Sequence, residues 1–125
     1  MLIVNNTFAF PNPNRDGQII LASTTTNLFI QNNIFYQPGL NIGISGTEAT
    51  AVISNNISTG AIGGGGTGTN LINTDPLLVN PTGLDFHLQA GSPAIGAGVT
   101  LSNVTNDFAG KLRLGVLYDI GAYQH

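Results

Sequence analysis

Asp85, His87 and Ser92 lie within eight residues of one another and are the residue types of a hydrolytic triad. A triad needs a histidine base held by a carboxylate and a serine presented on a sharp Gly-x-Ser-x-Gly turn. Ser92 stands in Gly91-Ser92-Pro93 instead. In a strand, Asp85 and His87 share one face while Phe86 points the other way. They read as a polar surface pair rather than as catalysis. Metal chemistry has as little support. His87 and His125 are the only imidazoles and cysteine is absent, so neither a zinc site nor a disulfide framework is expected. Asp75, Asp107 and Asp119 carry oxygen ligands but lack the spacing of a calcium loop, and they read as turn caps. Gly63, Gly65 and Gly68 spell Gly-x-Gly-x-x-Gly. No helical pattern follows them and no Lys-Ser/Thr pair accompanies them, so they read as part of a glycine run. No cofactor is expected.

The composition explains why chemistry is so thin. Only 7% of the 125 residues are charged, with three Lys plus Arg against six Asp plus Glu. A net charge of −3 gives no footprint for nucleic acid or an anionic membrane. A helical bundle is excluded on the same ground, since its wet faces need Glu, Lys and Arg. No apolar run approaches the roughly 18 residues of a membrane span, and Met1 to Asn6 lack the pattern of a signal peptide. Asn, Thr, Ser, Gln and Gly fill the polar positions instead, which suits a chain of strands and turns.

Three segments repeat one another. Leu2 to Phe8, Leu28 to Phe35 and Ala51 to Ser58 each read as an apolar strand, an Asn-Asn corner and a second short strand. The second asparagines fall at Asn6, Asn33 and Asn56, and a period in the twenties is that of a solenoid with one coil per repeat. Asn70 to Thr74 is a fainter fourth copy with one asparagine at its corner. Gln18 to Ser23 and Leu40 to Ser45 are further strand candidates between the corners. The expected fold is all-β: a short right-handed parallel β-helix of about three coils over residues 1–74, with an irregular capping tail over 75–125 in the same domain. Stacked corner asparagines would pass amide hydrogen bonds up the column. Strand spacing alone would also suit a β-sandwich with Asn-rich turns.

From Asp75 the character changes. Asp75-Pro76-Leu77-Leu78, Gly91-Ser92-Pro93-Ala94-Ile95, Asn106-Asp107-Phe108-Ala109-Gly110 and Asp119-Ile120-Gly121-Ala122-Tyr123 occur in that order. This tail resembles the choice-of-anchor Q type of ending on bacterial parallel β-helix proteins of the pectate-lyase-like kind. Such endings carry an acidic residue after Gly-Ala-Tyr, where this chain has Gln124, and they follow many more coils. The resemblance therefore implies either the last coils of a longer parent or a short reading frame for those coils alone. It also implies a secreted or cell-surface setting and a link to polysaccharide.

Pectate-lyase-like enzymes set acid, base and charge-stabilising groups on one strand face. Gln18 to Ser23 and Leu40 to Ser45 contain no Lys, Arg, His, Asp or Glu. Arg15 and Asp16 lie in a loop beside the first of these strands and read as a solvated pair. Glu48 with Asp16 makes only an accidental carboxylate pair for a glycosidase. Phe29 and Phe35 read as core, while Tyr36 beside a loop is the one plausible sugar-stacking ring. The candidate carbohydrate contacts are therefore Arg15, Asp16, Gln18, Tyr36 and Asn41, with no catalytic residue named. The sequons at Asn5, Asn56 and Asn103 are what an Asn- and Thr-rich chain produces by chance.

The leading expectation is a non-catalytic structural or self-assembling module. The alternatives are a remnant of a polysaccharide lyase or epimerase and a carbohydrate-binding module. The first coil has no cap, so its open edge is expected to be buried in a homo-oligomer, a symmetric dimer through the N-terminal coils.

Overall fold

The computed structural model describes residues 1–9, 19–20, 27–37, 44–45, 51–63 and 68–125. Among these the chain is all-β, with twelve short strands and one 3-10 turn at Pro81–Gly83. No described helix is long and apolar enough to cross a membrane.

The N-terminal strands form three parallel sheets. The first contains β1 (Leu2–Val4), β4 (Phe29–Gln31) and β7 (Val52–Ser54), in that order. The second contains β2 (Thr7–Ala9), β5 (Ile34–Tyr36) and β8 (Ile57–Ser58). The third pairs β3 (Ile19–Ile20) with β6 (Ile44–Ser45). Leu2 lies opposite Phe29 and Phe29 opposite Val52, while Thr7 lies opposite Ile34 and Ile34 opposite Ile57. Equivalent residues are thus in register at the spacing of the Asn pairs. The two intermediate strand candidates pair as Ile19 with Ile44 and Ile20 with Ser45. Their remaining residues, including Gln18 and Asn41, lie outside the described residues.

Each strand pair turns at its two asparagines, and the two have different tasks. The first of each pair takes a left-handed backbone, with φ of 53° at Asn5, 57° at Asn32 and 54° at Asn55. Asparagine tolerates this region better than other residues with a Cβ. The second forms a ladder. Asn6 Nδ2 donates to Asn33 Oδ1 at 3.1 Å, Asn33 Nδ2 to Asn56 Oδ1 at 3.0 Å, and Asn56 Nδ2 to Asn70 Oδ1 at 2.8 Å. The same oxygens accept the backbone N–H of the residue in the rung before, each at 3.0 Å. The last step spans 14 residues, where the two before it span 27 and 23. Asn70 thus closes the ladder after a much shorter excursion of the chain.

Alternation along the strands divides the apolar residues between two cores. Leu28, Ile30, Phe35, Ala51 and Ile53 are buried in one, with Ile3, Phe8, Ile19 and Ile62 packed against them. The Phe8 and Phe35 rings stack within it, 5.1 Å apart and 4° from parallel. Ile34 and Ile57 point to the other face and meet Leu78, Leu88, Ala94 and Ile120 of the C-terminal segment in a second core. That segment contains two small antiparallel pairs. One joins β9 (Leu78–Asn80) to β10 (Asp85–Leu88), and the other joins β11 (Gly98–Val99) to β12 (Leu117–Tyr118).

Candidate functional site

The segment after Asp75 meets the parallel strands at their corners, through Ala97, Val99, Asp119 and Gly121. The first asparagine of every corner holds it there. Asn55 Nδ2 donates to the Ala97 carbonyl at 3.1 Å. Asn32 makes a two-way contact with Val99, donating to its carbonyl at 2.7 Å and accepting its N–H at 2.9 Å. Asn5 Nδ2 donates to the Asp119 carbonyl at 3.3 Å, and Gly121 N–H donates to the Asn32 carbonyl at 2.8 Å. Gly121 has φ of 102°, and a Cβ there would lie 2.5 Å from Ile34 Cδ1. Glycine is needed at that crossing both for the backbone angle and for the close approach. A cavity of about 130 Å³ remains where the tail meets the third corner, lined by Asn55, Thr69, Asn70, Leu71, Ala97 and Ile120.

Arg113 organises the end of the tail, and the sequence reading did not single it out. It is buried, and its guanidinium donates to the carbonyls of Asp119, Gly121 and Ala122 and to Gln124 Oε1, at 2.8 to 3.2 Å. Burial pulls its pKa below the ordinary arginine value, against the opposing pull of Asp107 and Asp119. Those two carboxylates cap backbone. Asp107 accepts the N–H groups of Ala109, Lys111 and Gln124, and Asp119 those of Gly96 and His125. Asp75 accepts the Leu77 N–H at 2.9 Å. All three aspartates therefore act on turns, and no group of three or more acidic or imidazole side chains suited to a metal occurs among the described residues.

The three triad residue types separate into two unrelated arrangements. Ser92 is buried, donates to the Pro76 carbonyl at 2.6 Å and accepts the Ala94 N–H at 3.1 Å, which pins a turn. Asp85 and His87 do share a face of β10, with Asp85 Oδ1 2.6 Å from His87 Nδ1. The hydrogen bond from His87 holds the Asp85 carboxyl below the usual carboxylate range. Both side chains are exposed.

Of the candidate sugar contacts, Arg15, Asp16, Gln18 and Asn41 lie outside the described residues, as does Glu48. Tyr36 is half-buried at the end of β5 and packs against the second core. The exposed rings, His87 and Phe108, are elsewhere, on either side of the half-buried Tyr123. His87 lies against Tyr123 with centroids 4.0 Å apart and the rings tilted by 31°, and Phe108 meets Tyr123 edge-on at 5.8 Å. Phe108 is 81% exposed. Of the three sequons, the side chains of Asn5 and Asn56 are committed to the corners, and Asn103 is exposed. No protein-family model matches this chain, and comparison with curated proteins and with solved structures likewise finds no match.

Proposed function

We propose that the chain is a short right-handed parallel β-helix that acts without catalysis, as a structural module that assembles with its own kind. One observation carries this reading. Two sets of three strands pair in parallel, in the same order and in register, at the offsets of 27 and 23 that separate the Asn pairs, and β3 pairs with β6 in parallel at an offset of 25. A chain that pairs this way must return to the same side after every circuit. The likeness of the tail to choice-of-anchor Q endings of pectate-lyase-like proteins agrees with it, and so does the hydrogen-bonded column of corner asparagines.

Assembly follows from the edges. Among the described residues β1 and β2 are the outer strands of their sheets, and Met1 and Leu2 at the start of β1 are 63% and 52% exposed. An apolar strand edge with free N–H and C=O groups is a template for another strand. A second copy of the chain supplies one, and two-fold symmetry pairs the same edge with itself. Light scattering and sedimentation across micromolar concentrations test this. A dimer is expected, with Leu2→Lys shifting it to monomer while far-ultraviolet circular dichroism stays unchanged. A stable monomer of the unaltered chain would refute the assembly.

A further inference from the structure

We propose that the rings of His87, Phe108 and Tyr123, with the Asp85 carboxylate at their rim, form a binding site for a neutral pyranose unit of an oligosaccharide. Three distant segments converge there. β10 supplies Asp85 and His87, the turn after Asn106 supplies Phe108, and the last residues supply Tyr123. The backbone holds them in place before any ligand arrives. Phe108 N–H donates to the Ala122 carbonyl at 2.9 Å, and Gln124 N–H donates to Asp107 at 3.0 Å on the other side of Tyr123. A single exposed ring needs no explanation, but here the half-buried Tyr123 ring has His87 against it on one side and Phe108 edge-on to it, which gathers three rings at one place on the surface.

The chemistry of the rim selects the ligand. A pyranose has a face of C–H groups, which an aromatic ring takes, and a border of hydroxyls, which need acceptors and donors. Asp85 Oδ1 and His87 Nδ1 are engaged with each other. Asp85 Oδ2, His87 Nε2 and the Tyr123 hydroxyl make no hydrogen bond among the described residues, so an acceptor, an imidazole nitrogen and a hydroxyl stand ready around the rings. The Asp85 carboxylate has His87 as its hydrogen-bond partner, and no lysine or arginine is paired with it among the described residues. A uronate would bring a second negative charge to that rim, whereas a neutral sugar brings only hydroxyls.

Saturation-transfer NMR on the whole chain tests the site, with cellotetraose and β-1,4-galactotetraose as neutral probes and tetragalacturonate as the acidic one. Transfer to the ring C–H protons of a neutral probe is expected, with tetragalacturonate bound at least about fivefold more weakly at low salt. Phe108→Ala should weaken the neutral probe about fivefold to tenfold, the range set by loss of one stacked ring. The exposure of Phe108 leaves the melting temperature of that variant unchanged, which separates loss of binding from loss of fold. Asp85→Asn should remove the discrimination against tetragalacturonate. Absence of transfer to both neutral probes at millimolar concentration would overturn the proposal. So would an unchanged signal in Phe108→Ala, or a preference for the acidic probe.

Discussion

Replacing Asn56 by alanine should cost this protein a large part of its stability, and replacing Asn6 should cost little. Asn56 is fully buried and its side chain makes five hydrogen bonds. Its Nδ2 donates to the carbonyls of Ile30 and Ser54 and to Asn70 Oδ1, and its Oδ1 accepts both the N–H and the Nδ2 of Asn33. Each is worth about 1 kcal/mol net, and buried groups left without a partner cost more than that. Some of the bonds share one amide hydrogen, so the expected loss is about 3–5 kcal/mol. Against a total of roughly 5–15 kcal/mol the variant stays folded but is plainly weakened. Asn6 has the same neighbours in kind, yet it is exposed, and water replaces what it loses. Asn6→Ala should cost no more than about 1 kcal/mol. Urea unfolding followed by circular dichroism measures both. Asn56→Asp sharpens the test, because it puts an acceptor where the amide donor faced three acceptors, and it buries a charge. The folded-state pKa of the new carboxyl is raised, so its penalty is absent below the unfolded value near 3.9 and grows as pH rises. A loss of under about 1 kcal/mol in Asn56→Ala, or equal losses at positions 6 and 56, would refute the ladder as a source of stability.

Two further outcomes follow from the tail. Leu84 has φ of 64° and is 71% exposed, so its side chain contributes little while its backbone is strained. Leu84→Gly should therefore raise stability by about 1 kcal/mol, seen as a higher melting temperature, and a fall would refute the strain argument. Burial opposes the charge of Asp107, but the N–H groups of Gln124, Lys111 and Ala109 outweigh it and hold the pKa below the ordinary value. The stability this carboxylate contributes is present above the unfolded pKa and is lost as pH falls through the lower folded one. The gap in urea midpoint between the unaltered chain and Asp107→Asn should shrink as pH falls below about 4. A gap that stays constant from pH 6 to pH 2 would contradict this.

The ladder is legible in the sequence because it is periodic: a pair of asparagines that recurs with the strands predicts both the corner and the register. The work of the first asparagine is not legible, because apart from the contact of Asn32 Nδ2 with Asn5 Oδ1 its partners in the C-terminal segment are main-chain groups of Ala97, Val99, Asp119 and Gly121, which leave no side-chain signature. Arg113 escapes notice for the same reason. It stands between Leu112 and Leu114, and three of its four partners are carbonyls. The second core had a signal that went unused. Ile34-Phe35-Tyr36 is apolar at every position, which marks a strand covered on both faces rather than one turned to water. That covering is why Tyr36, which reads as a sugar-stacking ring beside a loop, is half-buried against the second core. The platform of His87, Phe108 and Tyr123 depends on three segments meeting, and the intervals between them follow no period.

The tail reaches back to the first corner, so Asn5 depends on residues 114 and 116 positions further along the chain. During synthesis the early strands leave the ribosome long before Asp119 and Gly121 exist. Until those residues emerge, the outer faces of Ile34 and Ile57 stay wet and the corner amides lack their acceptors. The last step of folding must therefore wait for translation to reach Gly121, and a nascent chain stalled earlier displays an apolar sheet face to whatever chaperone or neighbour is near.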